Sequence, residues 1–307
     1  MRRAPILVVL VLLPLVGCAQ APDGAEAPIA LEQAGPGPAL AGGAARQTML
    51  EFVDAYADTP QDGGAALADL VTGPELERWV FWLAVQNAQF PGTVEGSSDV
   101  RTVRFVGTAP ANRGLGARVD LGASVTFAYA PADGEPFERS RILDGPATLV
   151  STRAGDWRVL DLTRDGVPMS DGIELFEDET RMDGGMSVRL DSLFMFTPNW
   201  QFNVVVENRT GDEVHLDAAA TGLYVRDAAG GFERIDGAVS PALDVLPAGT
   251  GVQSVLSYPL QESSEGRVLV LAFRADGRDY RFDFPLEDLV TPVPPPPTGA
   301  PGEPQTG

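Results

Sequence analysis

Val119-Asp120-Leu121-Gly122-Ala123-Ser124-Val125-Thr126-Phe127-Ala128-Tyr129 puts Val, Leu, Ala, Val, Phe and Tyr on every second position. Side chains alternate faces along a strand, so this period of two predicts one long β-strand with one face in a core. Downstream, 147–152 and 157–162 form a second pair of alternating runs around Ala154-Gly155-Asp156, which predicts a hairpin. Upstream the period changes. Met49, Phe52, Val53 and Tyr56 fall at i, i+3, i+4 and i+7, one apolar stripe of a helix. A short helix is expected over 65–71. Thr72-Gly73-Pro74-Glu75 matches a capping box, with Thr72 as N-cap of a helix that buries Leu76, Trp79, Val80 and Leu83 and stops at Pro91-Gly92. Helices followed by a meander of long strands imply an α+β layer, helices on one face of an antiparallel sheet.

That order of elements, with Gly155-Asp156-Trp157-Arg158-Val159 as a late turn and strand, resembles the cone-shaped fold of ketosteroid isomerase and nuclear transport factor 2. The resemblance covers roughly residues 44–166. It implies a pocket between helices and sheet, in which enzymes of that shape use carboxylates or tyrosines with pKa values moved by burial. Tyr56, Tyr129 and Asp120 are the nearby candidates; Asp120 alternates onto the polar face, and core or surface structure is the expectation for all three.

The stretch 187–290 reads as nearly all strand. Val188 and Leu190 alternate with Arg189 and Asp191; Phe202, Val204 and Val206, then Val214 and Leu216, then Leu223 and Val225, continue the pattern. Arg267 to Arg274 is a continuous apolar run, as in a strand covered on both sides, and Ala275-Asp276-Gly277-Arg278 predicts a tight hairpin before Tyr280, Phe282 and Phe284. Many short strands in about 100 residues imply a β-sandwich. The run Phe202-Asn203-Val204-Val205-Val206-Glu207-Asn208-Arg209-Thr210-Gly211, with 223–231 and Pro247-Ala248-Gly249, resembles an immunoglobulin-like domain of unknown function carried by surface lipoproteins of Gram-positive bacteria. The sequence departs from that pattern at Leu256, where an aromatic residue is frequent. Cys-Trp-Cys marks of antibody domains are absent.

The first seventeen residues have the three parts of a secretory signal peptide: Met1-Arg2-Arg3, an apolar run from Ile6 to Leu15, then small residues. The run is too short to span a bilayer comfortably. Leu15-Val16-Gly17-Cys18 resembles the lipobox of bacterial lipoproteins. The resemblance implies a diacylglycerol on Cys18 and cleavage between Gly17 and Cys18, with stable anchoring once two or more acyl chains are present. Cys18 is the only cysteine, so the mature chain is expected to hold no disulfide and to rely on packed cores. Residues 18–43, rich in Ala, Pro and Gly, are expected to form a flexible tether of roughly 25–30 Å. Residues 167–186 are expected to be an acidic linker between separately folding domains. Residues 291–307, with seven prolines, are expected to be a disordered tail.

The chain carries a formal charge of −21, and losing Arg2 and Arg3 with the signal leaves −23. Every basic residue is Arg, a composition that fits a GC-rich genome or adaptation to salt. This charge argues against nucleic acid as a partner, since phosphate binding needs a basic stripe, and against flat contact with anionic head groups.

Catalytic motifs are scarce. His215 is the only histidine and alternates with Val214 and Leu216, so it is expected to lie solvated beside Glu213 and Asp217. Asp161-Thr163-Asp165-Gly166 has the outline of a calcium loop, but its third position is Thr163 and its twelfth is Gly172, which breaks the EF-hand pattern. Glu174, Glu177, Asp178, Glu179 and Asp183 are read as a solvated linker rather than a calcium site. No cofactor, metal site or catalytic residue is expected. The expected role is a membrane-anchored, extracytoplasmic, non-enzymatic module that binds an envelope protein, a glycan or a small molecule. On this reading it is held by lipid on Cys18 to the outer face of the cell membrane, or to the outer membrane of a Gram-negative host. An enzyme or hydrophobic-ligand carrier using a pocket in the first domain is one alternative, and a structural spacer the other.

Overall fold

A computed structural model of the chain describes residues 38–89, 93–111, 114–130, 135–152, 155–226, 230–275 and 277–290. The signal peptide, Gly17, Cys18 and the Pro-rich tail lie outside the described residues. The first helix, α1 (Pro38–Ala57), begins inside the segment expected to be tether. The reason lies at its far end: Ala41 and Ala45 are buried on the same face as Met49, Phe52, Val53 and Tyr56, so the apolar stripe runs further back than the large side chains reveal. Two short helices follow, α2 (Thr59–Asp62) and α3 (Ala65–Leu70).

The next helix, α4 (Pro74–Gln89), starts two residues after the expected cap. The Thr72 N–H is instead spent on Val159 O at 2.9 Å. Gly73 takes φ +95°, a left-handed backbone that suits glycine, and Pro74 stands at the first helical position, where its missing N–H costs nothing.

Five antiparallel strands form one sheet in sequence order: β1 (Thr93–Ala111), β2 (Gly114–Tyr129), β3 (Phe137–Ser151), β4 (Trp157–Arg164) and β5 (Val167–Pro168). The alternation that opens the sequence reading holds: Val119, Leu121, Ala123, Val125 and Phe127 are buried, in one core with Met49, Phe52, Leu67, Leu76 and Trp79 of the helices. β1 was not foreseen. It is an edge strand with three register shifts against β2, and each shift breaks the period of two that marks a strand.

The acidic stretch 167–186 is built into the fold rather than spacing two domains apart. After β5 come α5 (Met169–Gly172), β6 (Ile173–Leu175) and β7 (Thr180–Asp183), the last two paired along β8 (Met186–Phe196). Met169, Ile173 and Phe176 are buried, and those apolar residues among the carboxylates hold the stretch in place.

The rest is a β-sandwich of two six-stranded sheets. β8 continues into β9 (Asn199–Asn208), followed by β10 (Val214–Leu216), β11 (Gly222–Arg226), β12 (Phe232–Ile235), β13 (Ala238–Val239), β14 (Val245–Leu246), β15 (Thr250–Pro259), β16 (Arg267–Ala275) and β17 (Arg278–Pro285). One sheet runs β13-β15-β9-β8-β6 with β7 beside β8; the other runs β12-β11-β16-β10-β14 with β17 beside β16. Leu190, Phe202, Val204, Leu256 and Tyr258 of the first meet Leu223, Leu269, Leu271, Phe273 and Phe282 of the second in one core. The apolar run in β16 is buried without interruption from Leu269 to Phe273. Ala275 pairs with Arg278 across a two-residue turn in which Gly277 takes φ +74°. Asn208 explains the strand-Asn-turn motif. Its Nδ2 donates to Asp212 O and Leu246 O, while Oδ1 accepts from Thr210 N and Oγ1, so one buried amide pins the turn to a neighbouring loop.

A bulge in β8 joins the two blocks. Leu190 pairs with Val204 but Ser192 pairs with Asn203, so Asp191 is the extra residue and the strand changes face there. Val188 and Leu190 point into the sandwich core, whereas Phe194 and Phe196, with Val255 of β15, are buried in the core that the helices share with the first sheet. The helices therefore have a sheet on both sides. Each such side chain, fully buried, contributes about 1.5–3 kcal/mol, so three of them tie the blocks together strongly against the marginal stability of a domain. Asp191 itself lies beneath α4, its side chain 1% exposed. Trp82 Nε1 donates to Oδ2 at 2.6 Å, and Arg189 at 2.6 Å and Arg78 donate to Oδ1.

Candidate functional site

A cavity of about 70 Å³ lies where the helices meet the first sheet and β9. Its buried lining is Tyr56 at the end of α1, Thr59 of α2, Trp79 of α4, Phe127 of β2 and Arg164 of β4. Half-buried Gln86 and Asn87 of α4, Tyr129 of β2, Arg141 of β3 and Gln201 of β9 form the outer part. Local sequence explains the placement. Tyr56 closes the α1 stripe, and Phe127 and Tyr129 are the last two inward residues of the long strand. Tyr56 packs edge-on against Trp79 at 5.0 Å and against Phe127 at 5.3 Å, a geometry that aromatic rings favour.

The polar groups around this cavity are only lightly engaged. Gln86 Nε2 donates to Gln201 Oε1 at 3.4 Å and Asn87 Nδ2 to Thr59 O at 3.1 Å. Arg164 is buried; its Nε lies 3.4 Å from Asp165 Oδ2 and its guanidinium 4.7 Å from the Phe196 ring centre. Burial pushes the Tyr56 phenol above its ordinary pKa, and the positive charges of Arg164 and Arg141 oppose that shift without cancelling it.

Of the three residues suggested by the resemblance, the structure brings Tyr56 and Tyr129 together and leaves Asp120 out. Asp120 pairs with Arg104 on the outer face of the sheet. Arg141, Arg164, Gln86, Asn87 and Gln201 were not foreseen. Arg164 had no legible signal, because Leu162-Thr163-Arg164 reads as a strand end running out to solvent.

Asp161 belongs to no cluster of metal-ligating side chains among the described residues; its Oδ1 accepts from the Leu162 and Ser170 amides and its Oδ2 from Ser170 Oγ. The acidic stretch does not converge either. Glu179 pairs with Arg181, and Asp183 with Arg278 of β17. Two broader hollows, of about 390 and 370 Å³, are open surface depressions. The first holds His215, which is exposed with Nε2 3.3 Å from Glu213 Oε1. Exposed side chains without special contacts change stability by no more than about 0.5 kcal/mol. His215→Gln is therefore expected to leave the melting temperature and any ligand binding unchanged; loss of binding at an unchanged melting temperature would give this histidine a role.

No protein-family model matches the chain, and no curated protein does. Part of it is similar to a solved structure, the crystal structure of an uncharacterized beta-sandwich protein from Clostridium difficile 630. The two are 12% identical, the match covers 36% of this chain and 93% of that one, and the TM-score is 0.17.

Proposed function

We propose that the chain is a lipid-anchored, extracytoplasmic binding protein without catalytic activity. On this reading the first block is a ketosteroid-isomerase-like cone whose cavity takes a small polar ligand, and the second an immunoglobulin-like sandwich that braces it. The carrying observation is the lining of the 70 Å³ cavity, which offers hydrogen-bonding groups to an occupant but neither carboxylate nor histidine. A tyrosine pushed upward by burial stays protonated at neutral pH, so Tyr56 can donate a hydrogen bond to a ligand but is not poised to act as a base. A carrier of hydrophobic molecules needs a chamber of several hundred Å³ with apolar walls, whereas this one is small and edged by two arginines and three amides. A spacer has no use for unspent donors.

Two measurements test this. Cys18→Ser is expected to lose metabolic lipid labelling and to escape normal cleavage before residue 18; a variant that is processed and localised as wild type, with no lipid label in either, refutes the anchor. A thermal-shift panel of neutral, cationic and anionic small molecules on the full chain is expected to give at least one saturable stabilisation. Ligand at a hundredfold excess over its Kd adds about 2.7 kcal/mol. A panel in which nothing stabilises the protein refutes the binding role.

A further inference from the structure

We infer that the cavity is a receptor for a small oxyanion, inorganic phosphate or the carboxylate end of a larger molecule, held between Arg164 and Arg141. This rests on the reading of the cavity as a ligand site and names the ligand's class.

Arg164 carries the inference. Its side chain is 9% exposed, and a buried guanidinium is stable only when its charge and its N–H groups are answered. The protein answers them only in part. Among the described residues Asp165 is its one ion-pair partner, with Oδ2 3.4 Å from Nε, and neither atom makes a hydrogen bond. That Nε is the one nitrogen of the group that is fully enclosed and unbonded, and Arg164 lines the cavity. Asp165 is also committed elsewhere, since its Oδ1 accepts from the Ile142 amide. The face of Phe196 answers part of the charge but takes no directed hydrogen bond.

Arg141 comes from the neighbouring strand and lines the same chamber. Among the described residues it has neither an ion pair nor a hydrogen bond to a protein acceptor. Both charges act on Tyr56, as does the opposing charge of Asp165, and both arginines line the cavity that Tyr56 lines. Two guanidinia facing one small space repel each other unless an anion lies between them, and forked donors match the geometry of carboxylate and phosphate. Size sets the limit. One water needs about 10–15 Å³ by this measure, so the cavity accepts an ion of roughly five heavy atoms and excludes a bulky one. A cation is excluded by charge.

The test is a titration of the full chain, purified in detergent, with sodium phosphate and with sodium acetate, each against sodium chloride at matched ionic strength. Melting temperature and calorimetric heat are the readouts. The expected result is saturable stabilisation by at least one of the two anions. Phosphate alone would identify a tetrahedral ligand, and acetate alone a carboxylate. Arg141→Gln, which removes no ion pair or side-chain hydrogen bond among the described residues, should fold as wild type and weaken that anion at least tenfold; Arg164→Gln should abolish binding if it folds. Three outcomes overturn the inference: no saturable effect of either anion, an equal effect in wild type and Arg141→Gln, or a neutral ligand that saturates the site without competition from either anion. The last leaves the binding role standing and removes only the anion.

Discussion

Asp191→Ala is expected to lower the stability of the whole chain by about 3 kcal/mol, the lower end of what breaking a buried charge network costs. The lower end applies because the Arg78 and Arg189 side chains are 40% and 42% exposed and can turn to water once the carboxylate is gone. The Trp82 N–H cannot. It is sealed in a side chain that is 0% exposed, and losing its acceptor leaves a buried donor unanswered. For a chain of this size that is a fall in Tm of roughly 6–12 °C. The transition should stay single by both circular dichroism and tryptophan fluorescence, because Phe194, Phe196 and Val255 lie in the core of the helices. Two separated transitions in the variant or the wild type would show that the blocks fold independently.

The same carboxylate sets an acid limit. Burial alone would raise the Asp191 pKa, but the hydrogen bonds from Trp82 and Arg189 and the charge of Arg78 outweigh it and hold the group below its ordinary value. A depressed native pKa means that the unfolded chain binds the proton more tightly than the folded one. The stabilisation is therefore complete above the ordinary carboxylate range near pH 4 and is lost as pH falls through the native value. Urea midpoints of wild type and Asp191→Ala should converge as pH is lowered below about 4; a constant gap would assign the effect to packing.

Much of the fold was legible because hydrophobic period survives in single elements. The β2 alternation, the α1 stripe and the apolar run of β16 each declare themselves within ten or so residues. What stayed hidden depends on partners far away. Asp191 reads as one more outward polar residue beside Arg189, and only the bulge turns it under a helix over a hundred positions earlier in the chain. Arg164 reads as a strand end, and only the approach of Phe196 of β8 and of the helices to β4 buries it. The stretch 167–186 looks like a linker because its carboxylates outnumber Met169, Ile173 and Phe176, yet those three residues decide where it goes. The two tyrosines were found because they end two strongly periodic elements; the arginines and amides around them share no pattern that a sequence displays.

Gly96→Ala is expected to cost about 3 kcal/mol, the upper end of overpacking, although the change adds one methyl group to a half-buried position on an edge strand. A Cβ at Gly96 would lie 2.0 Å from the carbonyl oxygen of Ala57 and 2.9 Å from its carbonyl carbon. The obstacle is backbone, so no side chain can swing aside; the end of α1 must lift from β1. Tyr56 is the preceding residue and part of the buried cavity lining, so the same shift should weaken any ligand held there. Gly107 supplies the control within the same strand. A Cβ there meets nothing within 4 Å and its backbone is not left-handed, so Gly107→Ala should be neutral or stabilising by a few tenths of a kcal/mol through reduced freedom of the unfolded chain. Urea melts of the two variants, run side by side, decide the matter. A gap below about 1 kcal/mol between them would mean that the helix and the strand do not approach as closely as the structure has them, and the floor of the cavity would have to be redrawn with them.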